Sequence, residues 1–323
     1  MPNLKYILFF MLTFMILPSY AEGFEVKHAD SLEVIENVIN IKGDVVILYK
    51  NISIKAPSGT IVTSAKGDPE TASFQGRVIV EMKDKKLDAD TVTIAIKNKK
   101  IIAEGNTVSE IKDKNGEVIR TVADTQNFDE GGEGTKGSGN VITTYKDVTV
   151  TADEFIVVYK DKNPNEAIYY GINKHACLKE PATTTYAKSI TFDINTKTIH
   201  ASGEVASTIM PDKKDEQEKQ DPVHVLADDV FIQENKEVIA KGSSKKVKLT
   251  YQDTIGESLI AYLYNNKETG KPEQAVFHGS ADVTQVDKRL ISEEVIFNFA
   301  NKTLISNTAT NIRPKTIIYK DKK

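Results

Sequence analysis

The sequence predicts an all-β fold, an elongated array of antiparallel hairpins bent into two facing sheets. Three observations predict it. A short phrase recurs eight times, at intervals of 29 to 40 residues. Within the copies Val and Ile alternate with Thr and other polar or small residues at a period of two. The alternation then changes parity at a small residue, as it must where a strand bends from one sheet into a facing one.

The phrase is a β-branched or aromatic run that reaches a small residue and then, usually, an acid. A second run follows and ends in glycine. The clearest copies are LDADTVTIAIKNKKIIAEGNTV (Leu87 to Val108), YAKSITFDINTKTIHASGEV (Tyr186 to Val205) and VLADDVFIQENKEVIAKGS (Val225 to Ser243). The small residues are Ala56, Ala89, Ala123, Ala152, Ala187, Ala227, Gly256 and Ser292. The acids after them are Asp90, Asp124, Asp153, Asp228, Glu257 and Glu293, while Pro57 and Lys188 replace the acid in two copies. The glycines interleave at Gly43, Gly76, Gly105, Gly139, Gly171, Gly203, Gly242 and Gly279. A repeat of this period makes each unit one supersecondary piece that buries its apolar face against its neighbours.

The strands follow from the alternation. Val92, Ile94 and Ile96 alternate with Thr91, Thr93, Ala95 and Lys97, whereas Leu87 and Ala89 just ahead have the opposite parity. The same pattern appears at Val230 and Ile232, and at Val295, Phe297 and Phe299. A small residue suits the corner because backbones approach closely there. An acid beside it can accept nearby amide hydrogens. Asn- or Asp-bearing turns fall at 97–100, 193–197 and 299–302. Residues 31–36 are the one stretch that reads as a helical turn. Pro164, Pro181, Pro211, Pro222 and Pro272 read as lying between strands. DEGGEGTKGSG, from Asp129 to Gly139, reads as a long flexible turn without the order of a phosphate-binding loop. The charge run DKKDEQEKQD, residues 212–221, reads as a solvated loop. The Lys-rich tail after Pro314 reads as frayed.

The ends and the composition set the class. Lys5, the apolar run Ile7 to Leu17, Pro18 and the small-x-small Ser19-Tyr20-Ala21 read as a signal peptide over residues 1–21. The apolar run is about half of a bilayer span, so cleavage is expected. Retention as an inner-membrane anchor is the other reading. The chain is therefore expected to be exported. The formal net charge is −4, which gives no basic footprint for nucleic acid. The only cysteine, Cys177, leaves no internal disulfide and reads as a buried small apolar residue.

Nothing points to catalysis. The histidines His28, His175, His200, His224 and His278 show no HExxH pair and no metal-ligand spacing. No GxSxG elbow is present. Asp193, His200 and Ser202 could be grouped as a triad, but they read as surface positions beside a turn. The acids lack the dense nine-residue spacing of calcium-binding β-rolls. The chain reads as a non-enzyme with no cofactor and no metal.

The phrase G-x-V, an apolar run into Ala-Asp-x-[Val/Ile/Phe], then Lys-x-[Ile/Val]-x-Ala-x-Gly, resembles the OstA-like family of periplasmic lipopolysaccharide-transport proteins. That family comprises LptA, the LptC periplasmic domain and the LptD N-terminal domain. The match is best over Gly76 to Val108 and Ala187 to Val205, then Val225 to Gly242, and covers most of residues 40–310. The resemblance implies an open, twisted β-jellyroll over residues 22–320, folded like a taco. It also implies acyl chains in the interior and head-to-tail stacking of such units through edge strands. The chain is longer than a typical LptA, so two continuous modules, 22–211 and 222–320, are an expected division.

The reading that follows is a lipid-binding bridge for lipopolysaccharide or a related glycolipid, from inner to outer membrane. The expected partners are LptC-like and LptD-like proteins, together with head-to-tail self-association. The expected apolar lining is Val78, Val80, Val92, Ile94, Ile156, Val158, Ile190, Phe192, Val230, Ile232, Val295 and Phe297. The same residues would form the closed core of a non-catalytic structural or adhesive β-sandwich or β-solenoid without a lipid.

Overall fold

The computed structural model describes residues 23–129, 134–210, 221–234, 237–266, 271–306 and 314–319. The expected signal peptide and most of the charge run lie outside them. Among the described residues there are 24 strands and no helix. Every strand pairing is antiparallel, and sequence neighbours pair as hairpins, as Val38–Tyr49 does with Ile52–Thr63.

The corners organise the fold. At Gly105-Asn106 both residues have positive φ, 77° and 49°. They oppose the single residue Asp124, because pairing jumps from Glu104↔Thr125 to Thr107↔Ala123. Gly43-Asp44, Gly76-Arg77, Gly139-Asn140, Gly203-Glu204 and Gly279-Ser280 repeat the paired positive φ. This is a two-against-one bulge, and glycine supplies its first left-handed residue at no steric cost.

The bulge has a consequence for side chains. A strand with two residues at the corner keeps its inward parity, so Ile101, Ala103, Thr107, Ser109 and Ile111 all face inward. A strand with one residue there reverses it, so Leu87 and Ala89 give way to Val92 and Ile94. Each long strand thus gives one half to each of two ladders. In the first ladder Ile47, Ile54, Val80 and Leu87 stand opposite one another in a row. In the second the row is Ile41, Gly59, Phe74 and Val92. Residues of both rows belong to one buried cluster, so the inner faces of the ladders pack on each other.

Several expectations change. Ser31–Ile35 is a strand paired with Val38–Lys42 and not a helical turn, because Leu32 and Val34 alternate at period two. The glycine-rich stretch is shorter than a loop over 129–139: Gly134–Tyr145 is a strand, and its glycines serve a bulge and close packing. Pro164 and Pro272 lie inside strands, at or next to the first residue, each beside a register shift where the missing N–H costs little. Residues Lys315–Ile318 form a strand paired with Lys288–Ile291. The seventh corner is Ser258-Leu259, two residues beyond Gly256-Glu257. There Leu259 N donates to the carbonyls of His278 and Gly279 at 3.0 and 3.1 Å.

On either side of the charge run, Ile199–Ile209 pairs directly with Val223–Ile232. One buried cluster runs from Ile119 to Phe299 across that pairing.

Candidate functional site

The candidate site is the interior between the ladders. Ten of the twelve expected lining residues are buried there: Val78, Val80, Val92, Ile94, Ile190, Phe192, Val230, Ile232, Val295 and Phe297. Ile156 and Val158 are corrected to the outer face, where they are 39% and 41% exposed. The single residue Asp153 reverses parity in their strand. Val148 and Val150 face inward before it, and Phe155 and Val157 after it. Simple alternation carried through the corner picks the wrong pair.

The interior also holds large side chains that the repeat phrase does not single out. Tyr49, Phe74, Phe128, Phe155 and Phe277 are fully buried. Glycines seat some of these rings. A Cβ on Gly59 would lie 2.6 Å from the Phe74 ring, and a Cβ on Gly256 would collide with the ring of Phe277. Gly256 is in the first ladder and Phe277 in the second, so this ring spans the interior.

The hairpin tips of the two ladders meet along a seam opposite the corners. Side chains close it. Tyr145 meets Phe192 with centroids 5.8 Å apart, and Tyr251 meets Phe299 edge-on at 4.8 Å. Gln285 Nε2 donates to the carbonyl of Lys302 at 3.3 Å. Lys85 Nζ lies 4.1 Å from the centre of the Tyr159 ring. Burial pushes the Lys85 ammonium down to about 8, against the opposing pull of Asp129 and Asp84. Burial raises the Tyr159 hydroxyl to about 12, despite its hydrogen bond with Thr135. Burial, then the hydrogen bond to Asp113, raises Tyr145 to about 12.

One stretch of the interior is polar. Thr107, Ser109, Thr121, Gln126, Thr135 and Thr143 are buried among the strands 100–145. Gln126 Nε2 donates to Thr107 Oγ1 at 3.0 Å and to the Thr121 carbonyl at 3.2 Å. Thr121 and Thr143 hydroxyls are 3.0 Å apart. The Tyr169 hydroxyl, raised to about 12 by burial, hydrogen-bonds with Thr143 of the other ladder.

Four of the six repeated acids, Asp90, Asp124, Asp153 and Asp228, hold corners. Asp228 accepts amide hydrogens from Ser243, Ser244 and Lys245 at 2.6, 2.6 and 3.3 Å. These bonds, Ser244 first, hold its carboxyl well below the usual carboxylate range. Asp153 does the same for Ile172, Asn173 and Lys174, with Asn173 contributing most. Asp90 accepts from the Asn106 amide at 2.8 Å and Asp124 from the Asn140 amide at 3.0 Å. Acceptor-only carboxylates with their oxygens committed to local amides are turn supports.

The grouping of Asp193, His200 and Ser202 does not assemble. His200 Nε2 is 3.2 Å from Asp229, and the imidazole stacks on Phe231 at 4.1 Å. Asp193 instead accepts the amides of Asn195 and Thr196 in its own turn, both at 2.8 Å. His200 and Phe231 line an open concavity of about 730 Å³ on the outer face. Among the described residues no three His, Cys, Asp or Glu side chains converge to hold a metal. No described helix is long and apolar enough to cross a membrane.

No family model matches the sequence, and no curated protein matches it. Among solved structures the chain is similar to LptH from Pseudomonas aeruginosa, described as the LptA-homologous periplasmic component of the conserved lipopolysaccharide transport device. The identity is 12%, the match covers 54% of this chain and 95% of that one, and the TM-score is 0.30.

Proposed function

We propose that this protein is a non-catalytic lipid-binding bridge of the periplasm. Acyl chains of lipopolysaccharide or a related glycolipid lie between the two ladders, with the headgroup outside the seam. The observation that carries this reading is the seam itself. Apolar side chains line both inner faces on either side of the polar stretch, and among the described residues it is side-chain contacts that close the side opposite the corners.

The magnitudes favour opening there. An aromatic pair contributes about 0.5–1.5 kcal/mol beyond its area. Each methylene removed from water contributes about 0.8 kcal/mol. On the order of five methylenes therefore offset the loss of two or three seam contacts. Separating the corners instead would break backbone ladders along every strand.

The two ends of the array support the partner part of the reading. Among the described residues, Phe24–His28 and Ser31–Ile35 each pair on one side only, as do Thr303–Ser306 and Lys315–Ile318. Leu32, Val34 and Ile35 are more than half exposed at one end, and Ile305 and Ile318 at the other. Unpaired edges with apolar side chains are templates for strand addition. LptC-like and LptD-like proteins, or further copies of this chain, are the proposed occupants.

The test is extraction and mass spectrometry of lipid copurified with the exported protein. The expected result is a glycolipid in stoichiometric amount. A protein that is repeatedly folded and lipid-free would favour the other reading, a structural or adhesive β-sandwich. The ring of Phe277 seated on Gly256 suits such a closed core.

A further inference from the structure

Among the described residues the buried apolar side chains fall into two clusters, which meet toward the seam where Ile111 of one pairs with Ile119 of the other. The first runs from Ile41 to Ile111 and includes Phe128. The second runs from Ile119 to Phe299. The polar stretch stands where they divide. In the first ladder the inward row passes from Leu87 through Ser109, Thr121 and Thr143 to Val150, so three hydroxyls interrupt an aliphatic row. In the second ladder the facing row passes from Ala103 through Gln126 and Gly137 to Phe155.

Gln126 joins the two rows. Its amide nitrogen reaches across the corner end of the interior to Thr107 and to the carbonyl of Thr121. Gly137 leaves the room for this: a Cβ there would lie 3.1 Å from Gln126 Cγ and 2.5 Å from the Phe155 ring. Gln126 and Ser109 are 0% and 1% exposed. Gln126 Oε1 and Ser109 Oγ have no hydrogen-bond partner among the described residues. A hydrocarbon chain threaded past this point would break the bonds of the Gln126 nitrogen. That would leave a buried donor without a partner, which is the costly way to bury a polar group.

We propose that Gln126 and the Ser109, Thr121 and Thr143 hydroxyls form a partition, and that the interior is two separate acyl-chain chambers. This rests on the lipid-binding reading and sharpens its ligand: two alkyl chains side by side along the array, not one continuous file. The first chamber crosses five long strands, about 20 Å at strand spacing.

The experiment is native mass spectrometry and photocrosslinking of the full exported chain with palmitate carrying a terminal diazirine. The expected result is two palmitates per chain. Crosslinked peptides should fall into two groups, one within 41–103 and one within 150–299, with none at the partition. Filling one chamber should silence only its own group. Ala72→Leu should remove the first group at least tenfold and leave the second, and Ala201→Leu should do the reverse. In Gln126→Leu the two groups should become competitive. One palmitate per chain with crosslinks on both sides of Gln126 would overturn the partition while leaving the lipid-binding reading intact. No palmitate bound at all would overturn both. The wild-type stoichiometry decides the matter even where a filling variant fails to fold.

Discussion

Gly105 and Asp90 face each other across a corner so closely that a Cβ on the glycine would lie 2.5 Å from the carboxylate oxygen. The same glycine has φ +77°. Gly105→Ala therefore loses about 1–2 kcal/mol for a left-handed L-residue, and more for displacing Asp90. Urea denaturation measures it. An unchanged midpoint would mean that the corner geometry is not what glycine is there for.

Phe155 and Ile156 are adjacent and point in opposite directions. Phe155→Ala should cost about 3–5 kcal/mol, as for a ring removed from a packed interior. Ile156→Ser on the outer face should stay within about 0.5 kcal/mol. Thermal unfolding of the two variants compares them directly. Equal losses would return the inward parity to Ile156 and Val158.

Much of this was legible in the sequence. The interleaved small residues and glycines locate the corners, and alternation gives ten of twelve inward positions. The misses share one cause. The parity reversal applies at Asp153 as it does at Asp90, yet Ile156 and Val158 follow the rhythm of Val148 and Val150 and look inward. Phe155 and Val157 are recovered once the reversal is applied. The seventh corner slips because Gly256 followed by Glu257 reads as the small residue and its acid, while its real task is to seat Phe277. The polar partition left no signal at all. Thr and Ser are ordinary strand residues, and only the register across several strands brings Ser109, Thr121 and Thr143 into one row. The seam was equally hidden, since it joins tips remote in sequence such as Tyr145 and Phe192.

Lys85 makes a pH prediction. Its folded pKa, about 8, lies below the ordinary lysine value of 10.5. Between these values the unfolded chain binds more protons than the folded one, so this group makes stability rise with pH over that window. Above pH 10 the buried Tyr145, Tyr159 and Tyr169, raised to about 12, oppose the rise, because only unfolded tyrosine ionises there. Unfolding free energy measured from pH 7.5 to 10 should increase, and the increase should shrink in Lys85→Met. A flat profile in both proteins would remove Lys85 from the seam.

Asp228 acts in the opposite range. Its folded pKa is depressed, so its contribution is present above the unfolded carboxylate value and is lost as pH falls through the folded one. Asp228→Asn should be less stable than wild type at pH 7, and the difference should narrow below pH 3. Denaturation at the two pH values checks it. A difference that persists in acid would assign the loss to packing.

The central claim is that the interior carries acyl chains, and crosslinking in living cells tests it most directly. A photoreactive phenylalanine analogue at Ile94 or Ile232, both inward near the seam, should give adducts with lipopolysaccharide or a related glycolipid. The same analogue at Ile156, on the outer face, should give none. Adducts absent from both inward positions, or equally strong at Ile156, would contradict the account.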